Sequence, residues 1–71
     1  MEIFTGVILD VKIKSAYIEL LINKYNNETK TIKVNDLNND ITSKIQLGIF
    51  IVCYKNVNEE LFKIIPLNDL I

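Results

Sequence analysis

Hydrophobic residues in this chain recur at every second position over most of its length, which is the mark of half-buried strands. In a first strand drawn from Ile3 to Ile13, Val7, Leu9, Val11 and Ile13 share one face, and Asp10 and Lys12 share the other. In a second, from Ala16 to Tyr25, Ala16, Ile18, Leu20 and Ile22 share a face opposed by Tyr17, Glu19 and Asn23. Turning at Lys14-Ser15, alone or within a four-residue loop from Ile13 to Ala16, pairs Val11 with Ile18, Leu9 with Leu20 and Val7 with Ile22. Every inward residue then meets another, as a one-sided core requires.

A third strand is expected from Thr29 to Asn35, with Ile32 and Val34 inward. Parity favours a three-residue loop, Asn26-Asn27-Glu28, over a two-residue one. It sets Ile22 against Ile32, Leu20 against Val34 and Lys24 against Lys30, with an asparagine or Glu28 in the left-handed conformation. Beyond Val34 the period changes. Leu37, Ile41 and Ile45 recur every four residues, Asp36, Asn38 and Asn39 are good N-cap types, and Gly48 suits a helix end, so a helix of about two turns is expected within Asn39 to Leu47. Two further strands follow, Ile49 to Lys55 and Leu61 to Leu67. A loop centred on Asn58 pairs Tyr54 with Phe62 and Val52 with Ile64. Pro66 lacks an N–H and marks a strand end or an edge.

Three strands, a short helix and two strands make a mostly β domain in the order of a five-stranded oligonucleotide/oligosaccharide-binding (OB) barrel, with the helix between the third and fourth strands. An SH3-like barrel, or a five-stranded sheet with one helix, is the alternative. From Val34 to Val57 the hydrophobic spacing resembles that of small molybdate-binding OB domains. The polar, oxyanion-gripping segments of that family have no recognisable counterpart, and no ligand is carried over. The core is expected to hold Leu9, Val11, Ile18, Leu20, Ile22, Ile32, Val34, Leu37, Ile41 and Ile45.

Seventy-one residues allow one domain, 1–71, without repeat or linker. A chain of this size buries only about 60% of its unfolded surface. The usual staples are missing, because a single cysteine makes no internal disulfide and no Cys/His cluster offers a metal site. Stability must come from packing, self-association or a partner. No apolar run approaches the ~18 residues of a membrane span. The opening Met1-Glu2-Ile3-Phe4-Thr5 has no basic region before an apolar stretch, so no signal peptide is expected, and the expected location is a reducing cytoplasm. Isoleucine, asparagine and lysine dominate and all eight basic residues are lysines, a bias that fits an AT-rich genome, including those of phages and plasmids.

The available chemistry is narrow. With no histidine there is no imidazole base or ligand. Cys53 sits in the most apolar strand without an activating neighbour, and reads as a packed small hydrophobe rather than a nucleophile. Asp10 and Glu19, opposite each other in the expected register, read as a tolerated surface pair rather than an acid–base or cation site. Two isolated glycines build no phosphate loop or dinucleotide fingerprint. No enzyme, cofactor or metal is expected.

Two surfaces remain. Residues 1–35 hold five lysines against four carboxylates, and residues 36–71 hold three against five. Lys12, Lys24 and Lys33 with Tyr17 and Tyr25 make a candidate face for single-stranded nucleic acid, since aromatics stack bases and lysines neutralise phosphates. The absence of arginine and a net charge of −1 weigh against it. The second surface is apolar. One small interior uses one face of each strand, and Phe4, Ile8, Leu21, Ile49, Ile51, Ile65 and Leu67 are the candidates left outside. For the last two strands the outer row is either Ile49, Ile51, Cys53, Ile65 and Leu67, or Phe50, Val52, Tyr54, Phe62 and Ile64. Contiguous exposed apolar surface marks an interface. The expected function is therefore a small non-enzymatic binding module acting through protein–protein contact and self-associating as a homodimer or higher oligomer. Weak single-stranded nucleic-acid binding by the sheet face is the alternative.

Overall fold

The computed structural model describes residues 1–35 and 45–67. Five strands form one sheet: β1 (Glu2–Ile13), β2 (Ile18–Lys24), β3 (Thr29–Val34), β4 (Phe50–Lys55) and β5 (Lys63–Pro66). Their order is β3-β2-β1-β4-β5 and every ladder is antiparallel. Among the described residues the sheet does not close into a barrel. Its two edges touch at one isolated parallel bridge, Val34 to Phe62, where the Phe62 N–H donates to the Lys33 carbonyl at 2.8 Å. No helix occurs among the described residues. Of the expected helical stripe, Leu37 and Ile41 lie outside them, and Ile45 packs half-buried against the core.

At twelve residues, β1 is long enough to serve two partners. Glu2 to Val7 pair with β4, and Gly6 to Ile13 pair with β2. The β2 ladder slips between Ile8 and Asp10, leaving Leu9 as an extra residue in a bulge. A bulge reverses the side-chain alternation and bends its strand. Before it, Gly6 and Ile8 point into the core and Phe4 packs against it; after it, Val11 does. Unbroken alternation put Val7, Leu9, Val11 and Ile13 on one inner face. In the structure Ile8 is fully buried, Leu9 is 44% exposed, and the pairs are Ile8–Ile22, Val11–Leu20 and Ile13–Ile18. The chain turns at Ser15-Ala16, flanked by a hydrogen bond from the Lys14 N–H to the Tyr17 carbonyl.

The inner faces of β2 and β3 are those expected: Ile18, Leu20, Ile22, Ile32 and Val34 are buried. Their register differs by two residues, pairing Leu20 with Ile32 and Ile18 with Val34. The three-residue loop is Tyr25-Asn26-Asn27, because the Lys24 N–H donates to the Glu28 carbonyl at 2.7 Å and the Asn27 N–H to the Lys24 carbonyl at 3.0 Å. Asn27 is the asparagine in the left-handed conformation, with φ of 66°. The side-chain oxygen of Asn26 accepts the Glu28 N–H. Lys30 consequently stands opposite Ile22 rather than Lys24.

β4 and β5 pair one residue away from the expected register, with Cys53 opposite Ile64 and Val52 opposite Ile65. A one-residue slip exchanges faces. Ile51 and Cys53 are therefore buried together with Phe62 and Ile64, so neither expected outer row stands as a unit. Pro66 ends β5, an edge strand. The core consists of Ile8, Ile18, Leu20, Ile22, Ile32, Val34, Ile51, Cys53, Phe62 and Ile64, with Phe4, Val11, Ile45 and Ile49 packed against it. No helix among the described residues is long and apolar enough to cross a membrane.

Candidate binding surfaces

At one end of the inner face, the alternation carries four strands from apolar to charged residues. Glu2 precedes Phe4 in β1, Lys24 follows Ile22 in β2, Lys30 precedes Ile32 in β3, and Lys55 follows Cys53 in β4. The ladders bring them together, since Lys55 lies opposite Glu2, Lys24 opposite Gly6, and Lys30 opposite Ile22. Beneath them the rings of Phe4 and Phe62 meet edge to face, with centroids 5.5 Å apart and planes at 72°. The Lys24 and Lys30 ammonium groups each lie 5.2 Å from the Phe4 centroid; those of Lys30 and Lys55 lie 5.5 and 5.4 Å from that of Phe62. Ring quadrupoles attract cations at this range.

One carboxylate bridges two of these cations. Glu2 Oε2 accepts a hydrogen bond from Lys30, and Glu2 Oε1 lies 3.7 Å from Lys55 Nζ. The Lys30 hydrogen bond holds the Glu2 carboxyl below its ordinary range, against the opposing effect of desolvation, and the charges of Lys30 and Lys55 add to the lowering. Lys55 also donates to the Glu59 carbonyl at 3.0 Å, and Lys24 lies 3.9 Å from Glu28. Cys53, opposite Phe4 and buried, has its thiol pushed up to about 12 by burial, with Lys30 opposing. It is a neutral packing group at physiological pH. No group of His, Cys, Asp and Glu among the described residues is arranged to hold a metal ion. The cluster can hold an oxyanion through its ammonium groups.

The five nucleic-acid candidates do not share one face. Lys33 and Tyr17 come together, with the ammonium 5.0 Å from the ring centroid, but Lys33 also lies 3.8 Å from Glu60. Lys12 stands across from Glu19. Lys24 belongs to the charged end of the inner face, where Tyr25, 89% exposed, shares an open cleft with Ile3, Phe4, Thr5, Lys24 and Asn26. Glu2, Lys30, Lys55 and Phe62 were not among the sequence candidates. Each is the charged or aromatic end of an inward row, and only the pairing of β1 with β4 and the register of β3 place those ends side by side.

The apolar candidates divide as well. Ile8 and Ile51 are fully buried, and Phe4 and Ile49 are half-buried against the core. Leu21, Ile65 and Leu67 are half-buried, Leu21 and Ile65 in rows that alternate with the core rows of β2 and β5. Along the outer face, Ile3 stands beside Tyr54, Thr5 beside Val52 and then Ile65, and Val7 beside Phe50. Ile3 is 63% and Phe50 51% exposed. The outer face of β1, β4 and β5 is thus largely apolar apart from Thr5 and the exposed Lys63, which stands beside Tyr54, whereas that of β2 and β3 carries Glu19, Asn23, Thr29, Thr31 and Lys33. No protein-family model, curated protein or solved structure matches this chain.

Proposed function

We propose that this chain is a small non-enzymatic binding module that acts through protein–protein contact and self-associates through the outer face of β1, β4 and β5. The observation that carries the reading is the apolar cluster of Ile3, Val7, Phe50, Val52 and Ile65, which gathers around Thr5 on one surface with part of its area in water. Apolar surface withdrawn from water contributes on the order of 25 cal/mol per Å². A two-fold symmetric contact sets such a cluster against its own copy, so one patch supplies both halves of the interface. The fold we infer for the module is OB-like. The order β3-β2-β1-β4-β5 and the parallel Val34–Phe62 bridge between its edges support that reading. A single buried thiol suits a reducing, cytoplasmic setting.

Sedimentation at micromolar concentration tests the assembly. The wild type is expected to run as a dimer or larger, and Phe50→Lys and Ile65→Lys as folded monomers. A wild-type species of 8.2 kDa would overturn self-association.

A further inference from the structure

We propose that Lys24, Lys30 and Lys55, with the ring of Tyr25 in the cleft that adjoins them through Lys24 and Phe4, form a site for a nucleotide unit whose phosphate replaces the Glu2 carboxylate and whose base stacks on Tyr25. The site lies at the charged end of the inner face and meets the outer apolar cluster at Ile3, which lines the cleft beside Tyr25.

The resident carboxylate shows the chemistry the cluster accepts. The two oxygens of Glu2 face two different ammonium groups, Lys30 and Lys55, and two oxygens of a phosphoryl group have a closely similar spacing. Lys24 lies at the same distance from the Phe4 ring as Lys30, which makes it the third cation of the cluster. Its own carboxylate partner, Glu28, is 3.9 Å away and mostly exposed. Three ammonium groups against two carboxylates, Glu2 and the more distant Glu28, leave one positive charge uncompensated. A phosphate monoester carries close to two negative charges at neutral pH and satisfies three cations better than one carboxylate does. The second half of the ligand is indicated by the cleft that joins Phe4 and Lys24 to Tyr25. Phe4 and Phe62 already have ammonium groups over them, whereas Tyr25 is 89% exposed and carries no such cover among the described residues. An exposed ring beside a cationic rim is the arrangement that stacks a base while its phosphate is neutralised.

Backbone amide shifts on titration at low ionic strength test the site, with inorganic phosphate, adenosine 5′-monophosphate and a short single-stranded oligonucleotide as probes. Saturable shifts from all three are expected at Lys24, Tyr25, Lys30 and Lys55. Lys30→Gln combined with Lys55→Gln is expected to abolish them. Tyr25→Ala should weaken the nucleotide about tenfold and leave phosphate unchanged, because only the base uses the ring. Glu2→Gln should tighten all three probes severalfold by removing the competing carboxylate. An oligonucleotide that binds more tightly than the mononucleotide, with a steep loss on adding salt, identifies a nucleic-acid strand as the source; equal affinity identifies a free nucleotide. Shifts that do not saturate or that map elsewhere, or a Glu2→Gln protein with unchanged affinity, would overturn the proposal.

Discussion

Ile8 and Ile22 face each other across β1 and β2, both withdrawn from solvent, while Leu9, the next residue, is 44% exposed. The bulge at Leu9 lets one strand turn the inward row from Ile8 to Val11 without losing its ladder to β2. Ile8→Ala is therefore expected to cost about 2–5 kcal/mol, enough to unfold much of a domain this small. Leu9→Lys should stay within about 0.5 kcal/mol of the wild type. Denaturant melts of the two variants check this, and equal losses would place Leu9 in the core.

Gly6 occupies the point on β1 that pairs with both Lys24 of β2 and Ile51 of β4. A methyl group there would run into the Ile22 side chain and come within 2.7 Å of the Asn23 carbonyl oxygen. Backbone cannot yield as a flexible side chain does, so Gly6→Ala is expected to destabilise by roughly 1–3 kcal/mol. Thermal unfolding is the measurement, and an unchanged midpoint would show that β1 and β2 stand further apart.

Phe50 and Ile51 are neighbours in sequence on opposite faces of β4. Phe50→Lys should leave far-UV circular dichroism intact and alter only association, because Phe50 is half exposed. Ile51→Lys should abolish folding, because it places an unpaired charge where no solvent reaches. A folded Ile51→Lys protein would reverse the assigned faces.

Burial raises the Cys53 thiol from 9.0 to about 12 in the folded chain. An unfolded chain releases that proton near pH 9 while the folded chain keeps it, so stability falls as pH rises from about 9 toward 12. The difference between the pH–stability curves of the wild type and Cys53→Ala isolates the thiol, and the variant is expected to have the shallower slope. Labelling by a thiol reagent at neutral pH should proceed no faster than the chain opens.

Much of this architecture is written locally. Ile18, Leu20 and Ile22 alternate with polar residues, so their shared inner face follows from the period of a strand, whatever they pair with. The left-handed asparagine in the loop between β2 and β3 is equally local, since Asn27 reaches φ of 66° at smaller steric cost than most residues. Five strands and the inward Ile32 and Val34 were legible on the same grounds.

Register and grouping were not. Loop length sets the pairing of β4 with β5, and that loop is held by contacts the residue pattern does not announce: Lys55 to the Glu59 carbonyl, and the Asn56 side-chain amide to Glu59. A slip of one residue there moved Ile64 and Phe62 inside with Ile51 and Cys53. The bulge at Leu9 depends on β1 having to serve β2 and β4 at once, a demand from residues far along the chain. The cluster of Glu2, Lys24, Lys30 and Lys55 around Phe4 and Phe62 draws on every strand's neighbourhood, and no spacing in the sequence links them. Alternation states which residues share a face because each strand imposes it on its own neighbours; which faces and ends meet is decided only when distant strands pair.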